Sequence, residues 1–159
     1  MQGTVLYGAR DVRFEEVQDP KIVEPTDAVI RIPATCVCGS DLWPYRGLQP
    51  INGPTPMGHE YCGFVEEVGS AVKSIKPGQF VIGSFATSDN TCPHCRHGYQ
   101  SSCINREFMT RAQAPVLRVP QADGTLVRRQ TFHRTTWCRA CWRHRTCWAP
   151  AGSPPMPPM

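Results

Sequence analysis

Hydrophobic and polar residues alternate over short stretches of the first 127 positions, and glycine or proline separates most of these stretches. This pattern is typical of short β-strands joined by tight turns. It predicts strands over residues 3–7, 12–17, 28–36, 61–68, 79–83 and 116–119. The first two are expected to form a hairpin. The whole set predicts a mainly β domain, either a small barrel or a sandwich.

Proline and glycine refine this prediction at particular positions. Pro33, within the third stretch, indicates an edge strand or a bulge, because proline cannot donate a backbone hydrogen bond. Lys76-Pro77-Gly78 predicts a tight turn, and Ala122-Asp123-Gly124 predicts another. Only Ser40–Tyr45 has the pattern of a helix, and Pro44 is expected to keep it short.

The composition changes abruptly after Val127. Residues 1–127 carry 11 basic and 13 acidic groups, whereas residues 128–159 carry six Arg and no acidic residue. The second part also lacks Leu, Ile, Val and Lys, although it holds three of the four Trp residues. A segment without a periodic apolar face cannot join a core. We therefore expect a folded domain over residues 1–127 and a disordered Arg/Trp/Pro-rich tail over residues 128–159.

Two origins account for such a tail. It is a natural extension, or it results from translation in a wrong reading frame, since GC-rich codons read out of frame give mostly Arg, Pro, Ala, Thr, Trp and Cys. The abrupt boundary favours the second origin. The tail contains the metal-compatible spacing Cys138-x2-Cys141-x2-His144-x2-Cys147, and its Arg and Trp residues could contact nucleic acid weakly. Charge and aromatic content alone are poor grounds for that role, so no nucleic-acid partner is expected.

The nine cysteines and the lack of any long apolar run indicate the cellular setting. No stretch approaches the roughly 20 apolar residues of a membrane span, and the N-terminus lacks the apolar core of a signal peptide. A cytoplasmic protein without a membrane partner is therefore expected. In a reducing compartment, cysteines serve metal ligation or catalysis before disulfides.

A first group of candidate metal ligands combines Cys38 with His59 and Glu60. A catalytic zinc needs three protein ligands and one open position for water or a substrate oxygen. Thiolate and imidazole suit this cation, and an adjacent carboxylate can bind it or orient a ligand. By chemistry alone these residues could equally be ordinary ones, since buried cysteines are common.

The run from Gly58 to Val72 matches the pattern G-H-E-x2-G-x5-G-x2-V. The segments CGSDL at 38–42 and VKSIKPGQFV at 72–81 accompany it. With these motifs, residues 1–127 resemble the zinc-dependent alcohol dehydrogenases of the medium-chain dehydrogenase/reductase family. The resemblance implies a GroES-like, partly open β-barrel with a zinc-binding loop. It also implies oxidation of a small-molecule alcohol to an aldehyde or ketone with NAD or NADP, and it allows for a homo-oligomer in full-length relatives.

The resemblance assigns roles to individual residues. Cys38 and His59 would be ligands of a catalytic zinc, and Glu60 would be a neighbouring or alternating ligand. Ser40 would take the proton from the substrate hydroxyl. The histidine that often continues this proton relay would fall at Trp43. The proton would instead leave through water or the cofactor ribose, and the Trp43 side chain would wall the substrate pocket.

A second group of candidate ligands lies in residues 88–103, a cysteine-rich loop without hydrophobic period. The spacing Cys92-x2-Cys95-x7-Cys103 leaves a tetrahedral zinc site one ligand short. The family's structural-zinc lobe has four cysteines, and its first position corresponds to Asp89 here. Because carboxylates bind zinc, we expect these four residues to form a closed structural site. His94 and His97 are nearby substitutes for Asp89.

Two parts of a complete dehydrogenase are not expected in this chain. No G-x-G-x-x-G motif follows a strand, so the family's dinucleotide-binding Rossmann domain, and with it the NAD(P) site, is expected to be absent. The family's third catalytic-zinc ligand would lie beyond residue 127. Hydride transfer needs cofactor and alcohol held together, so the chain alone is expected to be inactive. The alternative function is a non-catalytic zinc-binding β-barrel module with protein or nucleic-acid partners.

Overall fold

The structure of the protein is a computed structural model that describes residues 1–128. It consists of short strands with single helical turns between them. The strands are β1 (Gln2–Gly8), β2 (Asp11–Glu16), β3 (Ala28–Thr35), β4 (Thr55–Pro56), β5 (Tyr61–Val68), β6 (Phe80–Gly83), β7 (Val116–Val119) and β8 (Leu126–Arg128). The helical turns are α1 (Leu42–Tyr45), α2 (Pro93–Arg96) and α3 (Ala122–Thr125), with 3₁₀ turns at Gly39–Asp41 and Gln100–Ser102.

Two antiparallel sheets organise these strands. The smaller sheet has the order β2-β1-β4, and the larger has the order β7-β3-β5-β6-β8. The edge strands β7 and β8 of the larger sheet are not paired with each other, which agrees with a partly open barrel. This sheet supplies the main core, because alternate residues of a strand point to the same face. Its most buried members include Ala28, Ile30, Val65, Val81, Leu117 and Val119.

The mainly β prediction is confirmed, and most strand positions agree with it. β1 and β2 form the expected hairpin, and β5 and β7 have the predicted bounds. The register of β3 against β5 shifts between Arg31 and Ala34. Pro33 therefore lies in a bulge. Its lack of a backbone N–H is tolerated there, because the regular hydrogen bonds of the sheet are interrupted at that point. Gly78 has a φ of +83° in the predicted turn.

Some local predictions differ from the structure. The predicted turn at 122–124 is a full helical turn, α3. The cysteine-rich loop contains α2 and a 3₁₀ turn. Here Cys92 caps the helix by accepting a hydrogen bond from the Cys95 N–H, so capping rather than hydrophobic period creates the turn. β4 and β8 were not predicted, because segments of two or three residues carry no readable alternation and form strands by pairing with β1 and β6.

α3 fastens two distant segments to the larger sheet. The Asp123 carboxylate accepts hydrogen bonds from the backbone N–H groups of Lys73 and Ser74, both at 2.8 Å. The Ser88 hydroxyl donates to the Gly124 carbonyl at 2.6 Å. The start of the cysteine-rich loop is thereby fixed against the end of the described chain.

The described part of the chain ends with β8. No helix in it is long and apolar enough to cross a membrane. The predicted disordered tail, including the Cys138-x2-Cys141-x2-His144-x2-Cys147 spacing, lies outside the described residues apart from Arg128.

Candidate functional site

The pairing of β3 with β5 creates the first candidate site. Thr35 at the end of β3 is opposite Tyr61 at the start of β5. Antiparallel pairing therefore brings the residues after β3 next to the residues before β5. Ligand atoms of Cys38, His59 and Glu60 lie within 4.8 Å of one another as a result.

A tight turn fixes Cys38. Its backbone N–H donates to Oδ2 of Asp41 at 2.9 Å, and the Asp41 N–H donates back to the Cys38 carbonyl at 3.1 Å. The Asp41 side chain thus caps the start of the 3₁₀ turn at Gly39–Asp41, and the Asp41 N–H makes the backbone hydrogen bond of that turn. The thiol is therefore held at the base of a short, rigid element.

His59 lies between two polar side chains. Its Nδ1 is 3.4 Å from Oδ1 of Asp41, and its Nε2 is 3.2 Å from Oγ of Ser40. Asp41 was not predicted as a site residue, although it follows Ser40 directly within the CGSDL motif. Its carboxylate thus contacts both Cys38 and His59, and orients the two together.

The glycines of the motif are explained by close backbone contacts. Gly58 has a φ of +91°, and a Cβ there would lie 2.6 Å from the Gln113 nitrogen. A Cβ on Gly63 would lie 2.3 Å from the Arg31 carbonyl oxygen. Side chains at these positions would push apart the backbone that carries His59 and the strands that flank it.

The surroundings of the site are partly apolar. The Phe85 ring lies edge-on to His59, with 6.3 Å between ring centroids, and stacks on Phe108 at 6.0 Å. The Glu60 carbonyl accepts a hydrogen bond from the Thr35 hydroxyl at 2.7 Å, which ties this residue to the end of β3. Trp43 lies in α1 with its side chain exposed, and its role as a pocket wall stays a prediction.

The second candidate site is the cysteine-rich loop. Cys92, Cys95 and Cys103 are all buried and form a cluster separate from the main core. The Sγ atoms of Cys92 and Cys103 are 3.9 Å apart. Zinc–sulfur bonds of about 2.3 Å at tetrahedral angles place two sulfurs about 3.8 Å apart, so this spacing fits a shared zinc ion.

Asp89 completes the second site. A carboxylate oxygen of Asp89 and the three thiols lie within 4.8 Å of one another. His94 and His97 are not members of this group. Their Nδ1 atoms lie 2.6 and 2.7 Å from the carbonyl oxygens of Ser102 and Pro93, respectively.

Hydrogen bonds within the loop favour the ionised forms of Cys92 and Asp89, two of the candidate metal ligands. The Cys95 backbone N–H, which donates to the Cys92 sulfur, lowers the pKa of the Cys92 thiol. Burial raises the pKa of the neighbouring Cys95 thiol. The backbone N–H of Cys92 holds the pKa of Asp89 well below its usual range. The site therefore presents an ionised carboxylate and one readily ionised thiol, as a divalent cation requires.

Two further cysteines of the described residues, Cys36 and Cys62, belong to neither ligand group. The Cys62 thiol donates to the Ala34 carbonyl at 3.6 Å, within the β3–β5 pair. Cys62 therefore offers a matched control for substitutions at the candidate ligands.

Sequence comparison relates the chain to known families. The family described as "Alcohol dehydrogenase GroES-like domain" matches residues 24–140. Zinc-type alcohol dehydrogenase B of Aspergillus flavus is 39% identical over 133 residues, which are 80% of this chain and 31% of that protein. The medium chain reductase/dehydrogenase ucsI of an Acremonium species is 35% identical over 134 residues, which are 80% of this chain and 46% of that protein.

Solved structures resemble the fold. Alcohol dehydrogenase TADH from Thermus sp. ATN1 superposes with a TM-score of 0.75 at 33% identity, over 80% of this chain and 40% of that chain. Zinc dependent alcohol dehydrogenase 2 from Streptococcus pneumonia superposes with a TM-score of 0.73 at 35% identity, over 80% of this chain and 38% of that chain. The chain therefore spans less than half the length of each of these relatives.

Proposed function

Because the chain belongs to the family of alcohol dehydrogenase GroES-like domains, we propose that it forms the zinc- and alcohol-binding part of an NAD(P)-dependent alcohol dehydrogenase. The reaction of the whole protein would be oxidation of a small-molecule alcohol to an aldehyde or ketone. The convergence of Cys38, His59 and Glu60, with ligand atoms within 4.8 Å of one another, carries this proposal.

Cys38, His59 and Glu60 would hold the catalytic zinc, which supplies Lewis-acid stabilisation of an alkoxide when bound. Ser40 would take the proton of the substrate hydroxyl, and its position supports this role, since its Oγ lies 3.2 Å from Nε2 of the proposed zinc ligand His59. Phe85, edge-on to His59, would present an apolar ring beside this proton transfer.

Asp89, Cys92, Cys95 and Cys103 would hold a structural zinc. The 3.9 Å separation of the Cys92 and Cys103 sulfurs supports this assignment. The buried cluster of this loop consists of its three cysteines. A metal would therefore supply the cohesion that an apolar core gives elsewhere in the fold.

We propose that the 159-residue chain alone is not a working dehydrogenase. The nicotinamide cofactor accepts the hydride in such enzymes and needs a nucleotide-binding fold. The sequence has no glycine-rich fingerprint of that fold, and the chain spans 31% of the Aspergillus flavus relative. The proposed partner is a small-molecule alcohol, and a homo-oligomer is proposed for full-length relatives only. A cytoplasmic location stays a prediction.

Metal analysis of the 159-residue chain tests both zinc sites. We expect about one tightly held zinc per chain, lost in Cys92→Ser, because a closed four-ligand site binds most firmly. A second, weaker site should be lost in Cys38→Ser and kept in Cys62→Ser. A chain that keeps the tight zinc but shows no second metal site would favour the non-catalytic zinc-binding module.

Fluorescence titration with NADH and NADPH tests the proposed inactivity. We expect no saturable binding and no alcohol-dependent reduction of NAD or NADP. Saturable cofactor binding by the 159-residue chain would show that a nucleotide site exists within it, and the proposal of inactivity would fail.

A further inference from the structure

Three N–H donors hold the Asp89 carboxylate, which also makes a side-chain hydrogen bond with Cys95. Its Oδ1 accepts from the backbone N–H groups of Thr91 at 2.8 Å and Cys92 at 3.0 Å. Its Oδ2 accepts from the side-chain amide of Asn105 at 2.7 Å. A carboxylate offers about two acceptor sites on each oxygen. The two backbone N–H groups therefore fill Oδ1, which leaves the second acceptor site of Oδ2 for the contact with the Cys95 thiol.

Asn105 is itself fixed in place. Its side-chain amide binds Asp89, and its backbone carbonyl accepts a hydrogen bond from Nε2 of Gln121 at 3.0 Å. Gln121 directly precedes α3, which also carries the contact to Ser88. Asn105 thus lies two residues after Cys103, in a segment that is hydrogen-bonded to the residue before α3.

We propose that Asn105 is a positioning residue that directs Oδ2 of Asp89 toward the three thiols as a single-oxygen fourth ligand. This inference rests on the proposed structural zinc site and adds which oxygen binds and what aims it. The two N–H groups on Oδ1 fix one end of the carboxylate, and the Asn105 amide fixes its rotation. The orientation of the Asp89 carboxylate is therefore fixed before a metal binds.

The proposal explains how an aspartate replaces a cysteine in this loop. A carboxylate that is free to rotate would bind through either oxygen and would lose order on binding. Hydrogen bonds from neighbouring groups orient metal-binding carboxylates, and their removal costs about 10–100-fold in metal affinity. A cysteine at position 89 would need no such partner, because a thiolate has a single donor atom.

A double-mutant cycle on the 159-residue chain tests the proposal. The variants are Asn105→Ala, Asp89→Cys and the double variant, with Asn105→Leu as a near-isosteric replacement that removes the amide donor. Zn²⁺ affinity is measured by competition with a chelator, and Co²⁺ absorption reports the number of thiolates. We expect Asn105→Ala and Asn105→Leu to weaken Zn²⁺ binding about 10-fold. In the Asp89→Cys background the same changes should have less than a twofold effect.

The Co²⁺ spectrum supplies an independent readout. Thiolate charge-transfer intensity should rise by about one third in Asp89→Cys, because four thiolates replace three. It should be unchanged in Asn105→Ala at saturating metal.

Equal losses of affinity in both backgrounds, or a loss of folding in both, would show that Asn105 acts through the loop as a whole and would overturn the proposal. Normal affinity in Asn105→Ala would overturn it as well. If the unaltered chain gives no thiolate bands with Co²⁺, the structural zinc site itself fails, and this inference fails with it. If Co²⁺ gives the bands of three thiolates but the Asn105 variants bind Zn²⁺ normally, the role of Asn105 fails and the proposed structural zinc site stands.

Discussion

Oγ of Ser40 lies 3.2 Å from Nε2 of His59. On the other side of the imidazole, Oδ1 of Asp41 lies 3.4 Å from Nδ1. A carboxylate accepts but does not donate, so this neighbour favours the tautomer that carries its proton on Nδ1. Nε2 then keeps its lone pair, which accepts from the Ser40 hydroxyl and would bind a metal in place of that hydrogen bond.

Replacing Asp41 with Asn should therefore weaken metal binding at the first site. An amide can turn its NH₂ group toward Nδ1, which would move the ring proton to Nε2 and block the lone pair. We expect about 10-fold weaker binding of the second metal equivalent and a change of tautomer visible in ¹⁵N NMR of the His59 ring. Cys62→Ser is the control, since Cys62 belongs to neither ligand group. An unchanged tautomer in the Asp41 variant would contradict this account.

Gly63→Ala should be among the most destabilising single-methyl additions in the larger sheet. The added Cβ would lie 2.3 Å from the Arg31 carbonyl oxygen. That atom belongs to the paired backbone of β3 and cannot move without breaking the ladder. We expect a loss of about 3 kcal/mol in the free energy of unfolding, measured by urea denaturation. Gly8→Ala is the matched control, because a Cβ there meets nothing within 4 Å. Equal stabilities for the two variants would show that the sheet yields at this point.

Much of the fold was predictable because its signals are local. The alternation in 61–68 and 116–119 gave strands with the observed bounds, and Pro33 marked the bulge in β3. The two ligand groups could be proposed from their residue types together with the resemblance to the family, which supplied Asp89 as a member of the second group. Their ligand atoms come together, while their binding of zinc stays a prediction.

Other features depend on contacts that no local pattern records. β8 is a strand only because Val127 and its neighbours pair with β6. Asn105 contacts Asp89 across 16 positions, and an asparagine in a loop is common without such a role. The sequence carries a partial signal for Asp41, since this residue lies in the same motif as Cys38 and Ser40. Its contact with His59 follows only once β3 and β5 are paired.

Asp123→Asn should lower stability near neutral pH and lose that effect in acid. Partial burial opposes ionisation of Asp123, but hydrogen bonds from the Ser74 hydroxyl and nearby backbone N–H groups outweigh it and lower its pKa. A carboxyl with a depressed folded-state pKa contributes stability that is fully present above its unfolded value and is lost as the pH falls through the folded value. We expect the variant to be about 1–2 kcal/mol less stable at pH 7. Urea unfolding between pH 7 and 3 should show the gap narrowing below about pH 4, and a gap that widens in acid would contradict the assignment.

Metal removal should loosen the cysteine-rich loop and leave the larger sheet intact. The three buried thiols form a cluster of their own, whereas β3, β5, β6, β7 and β8 share a separate apolar core. Without a metal, the loop keeps only its hydrogen bonds, and local opening becomes easier. Treatment with a chelator should raise amide exchange over residues 92–103 and open a trypsin site at the exposed Arg96, while residues 61–68 stay protected. Cys92→Ser should show the same exchange pattern without chelator, and Cys62→Ser should not. Loss of protection in the sheet together with the loop would mean that the metal holds the whole fold, because the separate core could not then sustain the sheet.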